Sequence, residues 1–466
     1  MLDSMRNLRS PAARQRARSH VVRAGAASGD RVRLTVYDLL TGTFYTPRTF
    51  FYRTTLDAGA LRDSLARTLV HYPLLTGRLE RDRDGGLSVR CNDAGAVFTE
   101  VDADEPMPDY GLGRSARPEL RRYLHEVNPF LVVGRDAPLL TVKVTRMRGG
   151  GSVLGVAINH CVVDATSHLA FLRHWSAEHR GLDHPLPCHD RGLLDALGAR
   201  VEPGARERSE QYAVTRRREK WAFIARVNAG AARMRTLTLR FPAEEVGAIK
   251  EAAAAGLAGT GRWVSTSDAF TAHLWKVLAE LRARPGESRE SLGLIVGVRA
   301  ALGSALPEHY WGNAVTNSRP ALTAAELRSA PLGAVAETVR AAVAGVTEQR
   351  VRDEIGFLDA QRAAGRSRRV LSRMSLEAFD SAVALNNVGK LPVYGVEFGG
   401  GRPFWYEFPA SPVPWTVLIT PTPAEDDSRD VRLSLPRDQA RVLGEPGWQR
   451  RLHAHAYAYA DADRPR

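Results

Sequence analysis

Residues 153–167 read Val-Leu-Gly-Val-Ala-Ile-Asn-His-Cys-Val-Val-Asp-Ala-Thr-Ser. The apolar run Val153–Ile158 predicts a buried strand. Beyond Asp164, the residues Leu169, Leu172 and Trp175 recur on one helical face, which predicts a helix. His160 therefore lies where a strand ends and shortly before a helix begins. A strand end facing a crevice holds a titratable imidazole still, and His160 is the candidate base. Its neighbour Cys161 is a weaker candidate, as a thiolate nucleophile, because adjacent residues of an extended chain point to opposite sides.

Outward from this stretch the chain runs to 466 residues, enough for two domains with separate cores. No apolar run approaches the ~20 residues of a membrane span, so the expectation is a soluble, cytoplasmic protein. The formal charge is +13, and among 65 basic residues only Lys143, Lys220, Lys250, Lys276 and Lys390 are lysines. Such a surface could attract an anionic cosubstrate, but no nucleic-acid-binding motif accompanies it. Cys91, Cys161 and Cys188 have neither CxxC nor metal-ligand spacing, so no metal is expected.

Hydrophobic periodicity divides the chain into four parts. Residues 1–31 are Arg-rich and acid-poor and read as a disordered basic tail. Residues 32–183 read as an α/β domain, with strands within 32–53 around a turn at Thr41-Gly42. A helix follows on Leu61, Leu65 and Leu69, then strands at 87–90, 97–101, 138–144 and 153–158; a further helix is expected over 119–127. In 184–233 the pattern weakens, which predicts a crossover linker. Residues 234–466 read as a second α/β domain. Its strands are expected at 237–241, 292–298, 391–398, 404–408, 415–420 and 431–435, with helices from Ala243, after Ser267, across 323–380 and over 437–456.

The ordered motifs resemble the BAHD family of acyl-CoA-dependent acyltransferases, in particular its hydroxycinnamoyl-transferase branch. The resemblance starts at Tyr45-Thr46-Pro47 and continues through Tyr72-Pro73-Leu74-Leu75-Thr76-Gly77-Arg78-Leu79. It takes in Pro138-Leu139-Leu140, His160-x-x-x-Asp164, Ser267-Asp268-Ala269, Val298-Arg299 and Tyr310-Trp311-Gly312-Asn313. It ends at Glu397-Phe398-Gly399-Gly400-Gly401-Arg402-Pro403. In that last motif Glu397 stands where the family usually has Asp, and Gly400 where it has Trp. The resemblance implies two chloramphenicol-acetyltransferase-like domains, each a mixed β-sheet flanked by helices, with a substrate channel at their interface. It also implies a monomer that binds no cofactor, takes acyl-CoA as cosubstrate, and acylates a hydroxyl or amine of a small secondary metabolite.

Acyl transfer needs a base, a means of stabilising the oxyanion, and two substrates held together. Histidine fits the first role because its ordinary pKa of ~6.5 leaves it neutral and basic near pH 7. Asp164 could orient the imidazole, as in a triad; the resemblance instead implies a structural aspartate paired with Arg299, an arginine that Glu397 would share. Thr46, Arg48 and Thr49 match a stretch lining the channel in relatives. Arg48 and Lys390 are cations suited to a substrate carboxylate, and Asn386 and Asn387 stand where the family has Thr or Ser, so the resemblance implies a contact from Asn387 to pantetheine or to acceptor. Ser265, Thr266 and Ser267 open a helix and suit either CoA binding or plain N-capping. The rival readings are a carrier-protein-dependent condensation-type transferase and a non-catalytic relative.

Overall fold

The computed structural model describes residues 17–108, 118–231, 233–408 and 411–456. Two mixed sheets carry the molecule. The N-terminal sheet has the strand order Ala17–Val22, Ala96–Pro106, Leu140–Arg148, Ser152–Asn159, Tyr45–Tyr52, Trp405–Glu407. Within it only the pairing of Ala96–Pro106 with Leu140–Arg148 is parallel. The C-terminal sheet runs Met234–Phe241, Arg429–Pro436, Thr416–Pro421, Ala382–Asn387, Arg289–Gly297, Val315–Ser318, with Ala321–Thr323 also on Arg289–Gly297. Both neighbours of Ala382–Asn387 are parallel to it. The α/β expectation of one mixed sheet per half therefore holds.

Each sheet buries one face under helices. Leu154, Val156 and Ile158 pack with Leu169, Leu172 and Trp175 of the helix Ala165–His179 and with Leu61, Leu65 and Leu69 of the helix Ala58–Leu69. In the second half Leu274, Trp275 and Leu278 of the helix Thr266–Arg282 pack on Leu292, Val383, Val417 and Leu433. The apolar positions read at helical and at alternating spacing are the ones that meet here.

The segment boundaries differ from expectation in three places. Ala17–Val22 is a strand on the edge of the N-terminal sheet, its Val22 buried, so the tail cannot extend to residue 31; residues 1–16 lie outside the described residues. The stretch 184–233 crosses between the halves but is folded. It holds the helices Gly192–Leu197, Pro203–Glu207 and Arg217–Ala231, and its strand Tyr212–Val214 pairs with Val370–Ser372. Trp405–Glu407 leaves the second half to complete the first half's sheet beside Tyr45–Tyr52.

Some local readings change too. Val36–Leu40 is a helix with a capping box between Thr35 and Asp38. In 119–127 there is a 3-10 turn over Pro118–Tyr123. Residues 391–398 form no strand but a turn at Val393–Gly395, since Pro392 lacks the N–H that a ladder needs. The last helix is two, Arg437–Leu443 and Pro446–Leu452.

Candidate active site

His160 lies one residue past the strand Ser152–Asn159. The turn that holds it is bonded on every side. Asn159 donates its side-chain amide to the Thr43 carbonyl at 2.9 Å and accepts the Cys161 N–H at 3.2 Å. The His160 N–H donates to the Phe44 carbonyl at 2.7 Å. The His160 carbonyl accepts Asn313 Nδ2 at 2.8 Å, a bond from the other half of the molecule. Asn313 is itself held by the buried Asp38, which takes its side-chain amide at 2.8 Å. Arg191, with Nε 3.0 Å from Asp38, donates to the carbonyls of Trp311 and Val162, both at 2.8 Å.

The imidazole is partly exposed. Its Nδ1 is enclosed and has no hydrogen-bond partner, while the carbonyls of His160 and Val163 stand close enough to favour a proton on the ring. Nε2 makes no bond among the described residues and is not enclosed. A proton on Nδ1 leaves Nε2 as the basic lone pair. Desolvation by the surrounding protein is the main influence and holds the pKa below its ordinary value; Arg48 adds to this, and Asp164 opposes it.

Asp164 faces away from that chemistry. It caps the helix Ala165–His179, accepting the Ser167 N–H at 2.8 Å. Its other oxygen accepts Arg299 Nη1 at 2.7 Å and the Ala314 N–H at 3.0 Å. Burial alone would push its carboxyl up, but the charge and bonds of Arg299 and the two N–H groups outweigh it and hold the pKa below the ordinary range. Arg299 also reaches Ser167 Oγ at 3.0 Å and the Gly312 carbonyl at 3.1 Å. The pair predicted between Asp164 and Arg299 is therefore present. Glu397 does not share this arginine, which corrects the expectation: its carboxylate meets Arg180 at 3.1 Å. Its backbone is fixed instead, donating to Ser176 Oγ at 2.9 Å and accepting from it at 2.8 Å.

Gly399 and Gly400 turn the next stretch at φ +59° and +78°, closing Phe398 onto Gly401. A tryptophan at position 400 would sit in a backbone region that side chains disfavour.

Arg48 and Thr49 part company. They are successive residues of Tyr45–Tyr52, opposite Val156 and Gly155 of the neighbouring strand, so they face opposite sides of the sheet. Arg48 shares its face with Thr46 and Phe50. It is 3% exposed, donates Nη1 to the Tyr406 hydroxyl at 2.5 Å, and lies 4.9 Å from the centre of the Phe408 ring. No carboxylate pairs with it among the described residues. A cation over a ring gains ~0.5–2 kcal/mol, less than the several kcal/mol lost in taking an ion from water. His168, on the first turn of the following helix, is fully buried with both ring nitrogens unpartnered. Burial, then Arg48, then His160 drive its pKa far down. It is a packed interior residue. Cys161 is fully buried, and burial pushes its thiol up, away from thiolate chemistry.

Ser265, Thr266 and Ser267 meet Asn387 and Lys390 in one cavity of about 420 Å³, also lined by Lys250, Trp263 and Arg429. Ser265 is committed as the helix cap, accepting the Asp268 N–H at 3.2 Å. Thr266 and Ser267 remain partly exposed at the helix N-terminus. The residues separately assigned to donor and acceptor thus line a single basic pocket. No cluster able to hold a metal occurs among the described residues, and no described helix is long and apolar enough to cross a membrane.

Sequence reasoning missed Asp38, Arg191 and Tyr406, and quoted Asn313 without a role. Thr35-x-x-Asp38 was a readable capping box; the others act through contacts between distant segments.

Comparison with known proteins agrees with this geometry. The family described as the Transferase family matches residues 15–446. A shikimate O-hydroxycinnamoyltransferase of Nicotiana tabacum is 25% identical over 412 residues, covering 87% of this chain and 92% of that one. A hydroxycinnamoyl-CoA:5-hydroxyanthranilate N-hydroxycinnamoyltransferase of Avena sativa is 28% identical over 437 residues, covering 90% and 96%. The crystal structure of F. graminearum TRI101 complexed with coenzyme A and deoxynivalenol shares the fold at a TM-score of 0.70 and 16% identity, covering 90% and 98%. The chain belongs to the Transferase family, the BAHD acyltransferases, and is an acyl-CoA-dependent acyltransferase.

Proposed function

We propose that His160 is the general base of direct acyl transfer from acyl-CoA to a hydroxyl or amine of a small secondary metabolite. Nε2 takes the acceptor's proton as its oxygen or nitrogen attacks the thioester carbonyl. The tetrahedral intermediate collapses, the C–S bond breaks, and the CoA thiolate recovers the proton from the imidazolium. No acyl-enzyme forms, in keeping with a buried, high-pKa Cys161. The observation that carries this reading is the division of the two ring nitrogens, Nδ1 enclosed and Nε2 free, on a turn bonded from both halves.

The basic cavity supports CoA as the donor. Lys250 and Lys390 line it with the N-terminus of a 17-residue helix, beside Arg429, which Asp427 pairs at 3.1 Å; the helix end and the two lysines favour phosphates. A carrier-protein thioester lacks the nucleotide phosphates that these cations suit. In this reading Thr266, Ser267, Asn387 and Lys390 hold CoA, a channel joins this cavity to His160, Thr46 and Arg48 serve the substrate side, and Asp164 is structural. Both halves of the site come from one chain, which supports a monomer.

The test is release of free CoA thiol from a panel of acyl-CoA and alcohol or amine pairs. His160→Ala should lower the rate by about 10²–10⁴ while the melting temperature holds. An unchanged rate removes His160 from the mechanism.

A further inference from the structure

Arg48 has one edge spoken for and one edge free. Nη1 is bonded to Tyr406 and the guanidinium lies over Phe408. Nε is buried with no partner, and Nη2 makes no hydrogen bond among the described residues. The Nε–Nη2 edge is the one that takes a carboxylate through two parallel bonds. No carboxylate pairs with it among the described residues: the titratable groups that Arg48 acts on are Tyr406, His160 and His168, all held toward the neutral form.

An arginine whose only role was packing would be expected to have a carboxylate or several carbonyls on it, as Arg299 and Arg191 have. Arg48 has neither, and it sits at strand position 48, two residues from Thr46 on the same face, next to the base.

We propose that Arg48 is the counter-ion for a substrate carboxylate, held side-on at its Nε–Nη2 edge beside His160, so that the enzyme acts on acidic substrates. The carboxylate comes either from the acceptor or from a dicarboxylic acyl chain; the recognising chemistry is the same. The Tyr406 hydroxyl positions the guanidinium from behind, and the Phe408 ring fixes its plane. The sources of the carboxylate rest on the acyl-transfer reading, but the anion site itself does not.

The experiment has a binding arm and a turnover arm, both on the full chain. In the first, benzoate, 4-hydroxycinnamate and malonate are titrated calorimetrically against wild type beside their amides. At least one acid should bind about 10- to 100-fold more tightly than its amide. Arg48→Met should erase that preference and Arg48→Lys should restore part of it. In the second, CoA release is followed with acetyl-CoA plus hydroxy acids or their methyl esters, and with malonyl- or succinyl-CoA plus neutral alcohols. A preference for the free acid locates the carboxylate on the acceptor; a preference for the dicarboxylic thioester locates it on the acyl chain. Equal binding of every acid and its amide by wild type overturns the proposal, whether or not the Arg48 variants fold. No CoA release with any pair would instead sink the transferase mechanism and leave the binding result to stand by itself.

Discussion

Arg299 Nη1 meets the Asp164 carboxylate at 2.7 Å, joining the motif that carries His160 to the opposite half of the molecule. The aspartate is 1% exposed, and its second oxygen caps the helix that follows His160. Asp164→Ala leaves Arg299 without its partner and the helix without its cap. We expect a loss of about 3–5 kcal/mol in chemical denaturation. Asp164→Asn keeps a cap and should lose less. Since the folded pKa is depressed, the pair stabilises the fold above the unfolded carboxyl value of ~3.9. That contribution is lost as pH falls through the folded pKa. An acid-denaturation midpoint unchanged by Asp164→Asn would contradict this role for the pair.

The acid limb of kcat/KM should report the base. Desolvation and the Arg48 charge hold His160 below its ordinary value. The ring therefore stays neutral, and activity persists, to a pH under ~6.5. Removing the cation by Arg48→Met should move the limb upward. A wild-type limb at or above ~6.5 in a pH–rate profile would count against a depressed imidazole.

Lys250 and Lys390 line the basic cavity together with Thr266 and Ser267. Each is a solvent-facing cation, so each contributes modestly. Lys250→Ala and Lys390→Ala should each raise KM for acyl-CoA by about 2–5-fold with little change in kcat. Raising the salt concentration should shrink the difference. A Lys390 variant that lowers kcat at constant KM would place that residue elsewhere in the reaction.

Gly155 lies in the strand that delivers His160, and a Cβ there would stand 1.9 Å from the Tyr123 carbonyl oxygen. Gly155→Ala forces the Pro118–Tyr123 turn off the sheet, and we expect a loss of about 1–3 kcal/mol or more. Gly204, in the helix Pro203–Glu207, would meet nothing within 4 Å. Gly204→Ala is the control and should be neutral or slightly stabilising by urea titration.

The patterns around His160 were enough to place it between a strand and a helix, because an apolar run gives way to helical spacing on either side of a short turn. The cores of both halves followed from the same patterns. The strand Ala382–Asn387 escaped because Ala and Asn are poor strand formers; its place is set by the parallel neighbours on both sides. The stretch 391–398 misled in the opposite sense, its Val393 and Val396 suggesting a strand that Pro392 and Gly395 turn aside. Arg299 was found through a resemblance, since nothing local ties it to a carboxylate 135 residues away. Glu397 was drawn to the same arginine by position within its motif, yet Arg180 on the neighbouring helix is within reach and takes it. That Arg48 has no counter-ion among the described residues could not be read from sequence at all, because a missing partner appears only in three dimensions.

The loan of Trp405–Glu407 to the first sheet has a bearing on biosynthesis. While the ribosome is still making the second half, the strand Tyr45–Tyr52 has an unfilled flank that includes Phe50 and Phe51. An exposed edge of that kind invites pairing between nascent chains. A gene fragment ending near residue 233 should therefore yield insoluble material, and co-expression of the missing fragment should rescue it.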